Sequence, residues 1–118
     1  MAERPPTTLR IYRALSVLAT PFAPLLLARR LSRGKEHHTR VSERRGESTV
    51  ARPPGPLVWV HGASVGELAS AVPLIERIRA RNLNLLVTTG TVTSAGVAEQ
   101  RLSRGVIHQF VPLDAPRF

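Results

Sequence analysis

Apolar and polar positions follow one another in blocks through the second half of the chain. Three apolar runs have the length and composition of buried strands, and they cover residues 57–61, 84–89 and 106–111. Strands that alternate with helices favour right-handed crossovers and a parallel sheet covered by those helices. The second half therefore predicts an α/β fold built on a Rossmann-like parallel sheet.

The first helical stretch follows the turn after the first strand. Its apolar residues recur at spacings of four, three and three along one face: Leu68, Val72, Ile75 and Ile78. Asn82 is expected to close this helix. Pro73 predicts either an irregular first turn or a regular helix that begins near Ser70. A shorter helix is predicted over residues 95–102.

The first half opens with an apolar segment, residues 9–31, whose central stretch 14–28 carries no charge. As a helix that stretch would cover ~22 Å, which is shorter than a hydrocarbon core of about 30 Å. Pro21 and Pro24 would also kink it. We therefore interpret residues 1–35 as an apolar, basic helical segment that lies in a membrane interface, with Arg29, Arg30, Arg33 and Lys35 near anionic head groups. A signal peptide and a kinked helix packed on the protein's own body are the alternatives.

The net charge of +9 indicates an anionic partner, and sixteen of the seventeen cations are arginine. Because the planar guanidinium pairs bidentately with phosphate, nucleic acid, phospholipid and phosphorylated substrates are all compatible. Eleven cations lie in residues 1–56, against six in residues 57–118. The chain contains no cysteine, which excludes disulfides, cysteine zinc sites and thiol nucleophiles.

Residues 36–56 are charged and rich in turn formers, and they end in a proline-rich stretch. They are predicted to form a linker whose arginines, Arg40, Arg44 and Arg45, are mostly solvated. The adjacent pair His37 and His38 is not expected to bind metal, because neighbouring side chains diverge and no further ligand stands at the right spacing.

The chain stops soon after the third predicted strand, at Pro116–Phe118. Three parallel strands with two crossover helices would leave an open sheet edge and a bare sheet face, which natural domains usually cover. The sequence therefore predicts a truncated or split chain, in which residues 57–118 form part of a domain.

Two turns at the carboxyl ends of predicted strands carry the candidate chemistry, because ligands of such sheets bind there. The turn over residues 61–67 lacks both the dinucleotide fingerprint and a Walker lysine. Its small residues permit close approach to backbone amides at a helix start, and the turn over residues 88–94 adds hydroxyl groups. We expect four residues to bind substrate: Ser64, Gly66, Thr89 and Thr91.

Glu67 is the acidic residue of the first turn and has two possible roles. Residues 64–67 match the capping box, in which Glu67 would accept a hydrogen bond from the Ser64 amide. Alternatively, the carboxylate takes a proton from an attacking hydroxyl. Spacing alone favours the cap. Thr91 and its neighbours likewise have a simpler interpretation as a helix cap and strand residues.

Residues 58–102, VWVHGASVGELASAVPLIERIRARNLNLLVTTGTVTSAGVAEQRL, and the following VIHQFVPLDAPRF resemble the amino-terminal domain of 3-deoxy-D-manno-octulosonic acid (Kdo) transferases. The motifs that carry the resemblance are SVGE before an apolar helix, the threonine-rich strand end and the VPLD ending. Residues 34–36 and 45–47 also match short family patterns. The resemblance covers residues 57–118 in detail.

The resemblance implies a GT-B glycosyltransferase with two Rossmann-like domains facing a cleft. The amino-terminal domain would receive a lipid A precursor, while the carboxyl-terminal domain, absent here, would bind CMP-Kdo. It implies that Glu67 is the general base, and it thereby reverses the preference for the cap. It further implies inversion at the anomeric carbon, no metal or other cofactor, and a place at the cytoplasmic face of the cell inner membrane.

Two other functions remain open at this point. The chain could be a binding module for nucleic acid or acidic lipid, although five aromatic residues offer little stacking surface and no recognition motif is present. Because of these two deficits, no nucleic-acid partner is expected. The chain could also be an inactive fragment, which the predicted open edge favours.

Overall fold

The computed structural model describes residues 5–102 and 104–115. Residues 1–4 of the predicted membrane-proximal segment and the Pro116–Phe118 end lie outside the described residues. The elements in chain order are α1 (Thr7–Ala19), a 3-10 turn (Thr20–Phe22), α2 (Ala23–Ser32), a 3-10 turn (Val41–Arg45), β1 (Leu57–Gly62), α3 (Val65–Arg79), β2 (Asn84–Thr89), α4 (Val92–Arg101) and β3 (Ile107–Phe110). The predicted alternation of strands and helices, preceded by an apolar helical segment, is confirmed.

The three strands form one parallel sheet in the order β1-β2-β3. Gly62 pairs with Thr89, and Thr89 pairs with Phe110. The carboxyl ends of all three strands therefore line up along one edge. The turns after β1 and β2 consequently lie side by side, as expected for a ligand-binding edge.

The hydrophobic core lies between the sheet and the helices α3 and α4. Its buried residues are Leu68, Ile75, Leu85, Val87 and Ala98, with Ile78 packed against them. This confirms the predicted apolar face of α3 for Leu68, Ile75 and Ile78, whereas Ala71 packs against the core in place of Val72. A Cβ placed on Gly62 would lie 3.1 Å from the amide nitrogen of Leu68. Glycine at the end of β1 therefore allows α3 to start directly against the strand.

Helix α3 begins earlier than its proline suggested. The expected start near Ser70 is wrong, because the helix runs continuously from Val65 with Pro73 inside it. The hydroxyl of Ser64 accepts a hydrogen bond from the Glu67 amide and so caps the first turn. Pro73 lies further along the helix and is exposed, and the first turn stays helical despite this proline. After the last turn, Asn82 adopts a left-handed conformation with φ of 56°.

The segment before β1 covers the outer edge of β3. The Val111 amide donates to Thr89, so the alternate residues His108 and Phe110 direct their backbone groups away from β2. Arg40 donates to the His108 carbonyl over 2.9 Å, and Glu43 accepts the Phe110 amide over 2.8 Å. The expectation of an open edge is therefore wrong for β3.

A second set of contacts in this segment ties α2 to the carboxyl end of β3. Glu36 is buried between Arg30, 2.6 Å away, and Arg44, 3.6 Å away. The guanidinium of Arg44 donates to the Val111 carbonyl, and its own carbonyl accepts the Leu113 amide over 2.9 Å. The expectation of mostly solvated arginines is wrong for Arg40 and Arg44, because both pair with buried carboxylates; Arg45 is exposed.

Residues 46–53 then cross the face of the sheet opposite α3 and α4 before the chain enters β1. Two cavities of about 180 Å³ each lie beneath this crossing, between it and strand residues such as Leu86 and Gln109. The face is therefore partly covered rather than bare. Trp59 on β1 remains 63% exposed. The division of the chain at residues 35 and 56 stays a prediction.

Helices α1 and α2 carry a large apolar surface that the rest of the described chain does not cover. No residue of α1 is buried, and α2 buries Ala23 and Leu27. The 3-10 turn confirms an interruption at Pro21 and Pro24. Residues Thr7–Ser32 together form a helical segment long and apolar enough to cross a membrane. The expectation that the segment is too short is therefore wrong by length, because helix continues beyond the charge-free stretch on both sides.

Candidate active site at the carboxyl edge of the sheet

The two turns with candidate chemistry are in direct proximity. Gly62 and Thr89 are register partners at the ends of β1 and β2, and a Cβ on Gly90 would lie 3.7 Å from the Ala63 carbonyl oxygen. The starts of α3 and α4 follow these turns, so both helices direct their free amide groups toward the same edge. This edge therefore offers a positive backbone surface for a polar ligand.

Glu67 and Ser64 form the predicted capping box at the start of α3. Glu67 Oε2 accepts hydrogen bonds from the Ala63 amide over 2.6 Å and the Ser64 amide over 3.3 Å. In return, Ser64 Oγ accepts the Glu67 amide over 3.2 Å. The structural role assigned to this pair from its spacing is therefore confirmed.

The same carboxylate keeps one oxygen for other chemistry. Glu67 is exposed, and within residues 5–102 and 104–115 no hydrogen bond reaches its Oε1. The two amides fix the direction of the carboxylate through Oε2. An oriented carboxylate with an accessible oxygen can accept a proton from a hydroxyl placed beside it. The cap and the base are thus compatible roles of two different atoms.

Gly66 differs from Gly62 in what surrounds it. A Cβ on Gly66 would meet nothing nearer than Ser64 Oγ, at 4.0 Å. The described fold therefore gives no steric reason for glycine at this position in the first turn of α3. Its absence of a side chain leaves the helix start open beside Glu67, as expected for a residue that allows a ligand to approach the backbone.

The two threonines predicted to bind substrate lie in different environments. Thr89 is fully buried, at 0% exposure, and its Oγ1 lies 2.9 Å from His108 Nε2. This hydroxyl is therefore engaged within the fold, and the expected contact of Thr89 with substrate stays a prediction. Thr91 is exposed and caps α4, where its Oγ1 accepts the Ser94 amide over 3.1 Å. Its simpler interpretation as a cap is confirmed.

A polar cluster that was not predicted from the sequence lies on the face of β1 and β2 opposite α3 and α4. Trp59 Nε1 donates to Thr88 Oγ1 over 2.9 Å, and His61 Nδ1 lies 2.9 Å from the same oxygen. The signal was available in the alternation of the strand, which places Trp59 and His61 on one face. His61 is exposed and is the last side chain of β1 on this face before Gly62.

The titration behaviour of buried groups is altered at the edge of β3. Burial, together with the charge of Arg40, lowers the pKa of His108 to about 4. Burial by itself would raise the pKa of Glu43, but hydrogen bonds from Phe110, Thr49 and Arg40 lower it below the usual value. Because both pKa values are lowered, His108 is neutral and Glu43 is ionised near neutral pH. Within residues 5–102 and 104–115, no three His, Asp or Glu side chains are grouped as metal ligands.

Comparison with known proteins identifies the family. A family model described as 3-deoxy-D-manno-octulosonic-acid transferase (kdotransferase) matches residues 39–118. The chain belongs to this family. The predicted resemblance is therefore confirmed, and the match extends through the segment that covers the β3 edge as well as the sheet.

Three Kdo transferase relatives align with about nine tenths of this chain. A probable mitochondrial 3-deoxy-D-manno-octulosonic acid transferase of Arabidopsis thaliana is 42% identical over 109 residues, which are 91% of this chain and 24% of that protein. Enzymes from Rickettsia bellii and Haemophilus influenzae are 34% and 28% identical over 90% and 89% of this chain, and over 26% and 25% of their own lengths. No solved structure matches. The chain thus spans about a quarter of the length of these relatives.

Proposed function

We propose that this chain is the acceptor-side part of a glycosyltransferase that moves Kdo from CMP-Kdo to a lipid A precursor. The observation that carries the proposal is the exposed, oriented carboxylate of Glu67 at the carboxyl edge of the sheet, in a chain of the Kdo transferase family. Ser64 and Gly66 lie in the same turn, and Thr91 lies in the neighbouring one.

In the proposed reaction Glu67 acts as general base toward a hydroxyl of the glucosamine disaccharide. The hydroxyl oxygen forms a bond to the anomeric carbon of Kdo, and its proton passes to Glu67 Oε1. The bond from that carbon to the phosphate oxygen of CMP breaks, and CMP leaves with the electron pair. Attack from the face opposite the leaving group inverts the anomeric centre.

The protein environment would assist this step by orientation. Because Oε2 is held by the amides of Ala63 and Ser64, the carboxylate need not lose rotational freedom when the acceptor binds. The start of α3 and the open position at Gly66 allow a polar head group to approach the backbone beside Glu67.

The amino-terminal helices support a place at a membrane. Their uncovered apolar surface includes Leu18 at 69% and Leu25 at 70% exposure, and Arg29, Arg30 and Arg33 follow at the end of α2. Such a surface suits an apolar bilayer with anionic head groups. We propose that it holds the protein at the cytoplasmic face of the inner membrane, where a lipid acceptor is accessible.

The donor side of the reaction is assigned to polypeptide outside this chain. The proposal retains a GT-B architecture, in which a second Rossmann-like domain binds CMP-Kdo across the cleft from Glu67. Residues 1–35 form the membrane-proximal segment and residues 57–118 belong to the acceptor domain. Residues 36–56 serve that domain as an edge cover for β3.

The experiment begins by sequencing the gene beyond the codon for Phe118, and then assays the encoded protein with labelled CMP-Kdo and a lipid A precursor. We expect label in the lipid and release of CMP in equal amounts. Glu99→Gln, which changes an exposed glutamate of α4, is the matched control for later substitution of Glu67. If the gene encodes no donor half and the product transfers no sugar, an inactive fragment is the better description.

A further inference from the structure

A cavity of about 940 Å³ lies between α1 and the segment that follows β3. The wall formed by α1 includes the apolar residues Leu9, Val17 and Leu18, and Asp114 and Ala115 line the cavity from the segment after β3. Cavities of this size hold organic ligands. The proposed transfer chemistry at Glu67 makes no use of this space.

Two arginines of α1 also line the cavity. Arg10 and Arg13 are three residues apart, so they lie on the same side of the helix. Both are exposed, and within residues 5–102 and 104–115 neither forms a salt bridge. Asp114, the acidic residue of the lining, already accepts a hydrogen bond from Tyr12. The cavity therefore combines an apolar wall with an excess of positive charge.

We propose that this cavity, the α1 groove, binds one anionic phospholipid of the bilayer. Its phosphate would lie between Arg10 and Arg13, since guanidinium groups pair with phosphate through two parallel hydrogen bonds. One acyl chain would lie along the apolar wall of α1 and remove that wall from water.

Charge and position together favour a phospholipid over other occupants. A soluble anion would satisfy the arginines but would leave the apolar wall in water. An apolar segment or a second copy of the chain would cover the wall but leave two cations without a partner. The groove is also continuous with the exposed apolar surface of α1, where Leu15 is 60% and Leu18 is 69% exposed.

The location of the groove gives the lipid a positioning effect. Asp114 lies four residues after Phe110, the last residue of β3, and thus follows the same sheet edge as Glu67. Two strand spacings, about 10 Å, separate β3 from β1. A lipid held between α1 and Asp114–Ala115 would orient this edge toward the bilayer surface. The inference rests on the proposed membrane association and not on Kdo transfer.

The test is calorimetric titration of the full chain with dihexanoyl phosphatidylglycerol, kept monomeric below its micellar concentration. A groove predicts saturable binding of one lipid per chain. Arg10→Gln combined with Arg13→Gln should weaken binding roughly tenfold, and Ala14→Trp, which fills the groove, should weaken it as strongly without changing charge. The matched controls are exposed residues outside both the groove and the amino-terminal helices: Arg77→Gln with Arg81→Gln, and Ala80→Trp. These variants should bind the lipid within twofold of the unsubstituted chain.

Several results would overturn the proposal. Equal losses in the control variants would indicate general surface attraction. Equal binding of inorganic phosphate would reduce the site to an anion site, and equal binding of dihexanoyl phosphatidylcholine would remove the role of the arginines. Self-association that Ala14→Trp abolishes would assign the groove to a second copy. Circular dichroism identifies any variant that fails to fold, and the charge and volume variants test the site independently.

Failure of this proposal can be separated from failure of the transferase proposal. Glu67→Gln should leave the phosphatidylglycerol titration unchanged, because Glu67 does not line the groove. Normal lipid binding by a protein that transfers no Kdo would retain the groove and reject the transferase. Active transfer by a protein without saturable lipid binding would do the reverse.

Discussion

Glu43 and Glu67 place their carboxylates in opposite environments, one buried and one exposed. Glu43 is 2% exposed, and its carboxylate accepts hydrogen bonds from Arg40, Thr49 and the Phe110 amide. Glu67 is exposed, and two amides hold one of its oxygens. The first carboxylate is fully used by the fold, whereas the second retains an atom for a ligand.

The two glutamates also differ in the groups that would lose a partner if the carboxylate were removed. Without Glu43, the cation of Arg40 and the outward amide of Phe110 would lose their buried partner, and the edge of β3 would open. Without Glu67, the amides of Ala63 and Ser64 would be exposed to water, which can replace the missing acceptor. Glu43 should therefore govern stability and Glu67 activity.

The largest stability effect is expected for Glu43→Ala. Removal of one partner of a buried ion pair costs about 3–5 kcal/mol, because the remaining charge stays desolvated. The free energy of unfolding, measured by urea denaturation, should fall by this amount, or the cooperative transition should be lost. Glu47→Ala, which removes an exposed glutamate of the same segment, is the control and should change stability by less than about 0.5 kcal/mol. Equal effects in the two variants would contradict the structural role of Glu43.

The pH dependence of stability is the next effect. The folded pKa of His108 is about 4, below its usual value of about 6.5, so in this interval the unfolded chain binds a proton that the folded chain does not. Stability should therefore fall by up to about 3 kcal/mol as the pH decreases from 6.5 to 4. Ionised Glu43, whose pKa is also lowered, adds a further loss below its unfolded pKa of about 4.3.

Urea denaturation at a series of pH values measures this slope. His108→Gln should flatten the interval from pH 6.5 to 4, because the titrating group is removed. His38→Gln changes an exposed histidine and should leave the slope as it is. A slope that is the same in all three proteins would show that His108 does not cause it.

The smallest effects are expected at the helix caps. Ser64→Ala and Thr91→Ala each remove the acceptor of one helix-start amide, which costs about 1 kcal/mol. Thermal denaturation measures both, with Thr93→Ala, an exposed neighbour within α4, as the control. If Ser64 also binds the acceptor, its substitution should additionally raise KM in the transfer assay, whereas a pure cap leaves KM unchanged.

The sequence was sufficient for features that depend on local pattern. The strand over residues 84–89, the apolar face with Leu68 and Ile75, and the capping box at Ser64 all follow from spacing that neighbouring residues determine. The family could also be predicted, since the motif around Glu67 combines several matched segments.

The features that escaped prediction depend on distant contacts. Residues 36–56 are predicted to be a solvated linker, because nothing local indicates that β3, 67 to 68 residues further along the chain, lies beside Arg40 and Glu43. The burial of Thr89 likewise depends on pairing with β3, which brings His108 beside its hydroxyl. Long-range pairing thus determines both environments.

The most direct test of the central claim is Glu67→Gln, assayed for transfer and for melting temperature on the same preparation. Glutamine retains an acceptor for the Ala63 and Ser64 amides, as the capping box permits, but it cannot take a proton from the acceptor hydroxyl. We predict that kcat falls about 10²- to 10⁴-fold. The melting temperature should change no more than it does in Glu99→Gln. Full activity in Glu67→Gln would contradict the account and leave Glu67 as a helix cap.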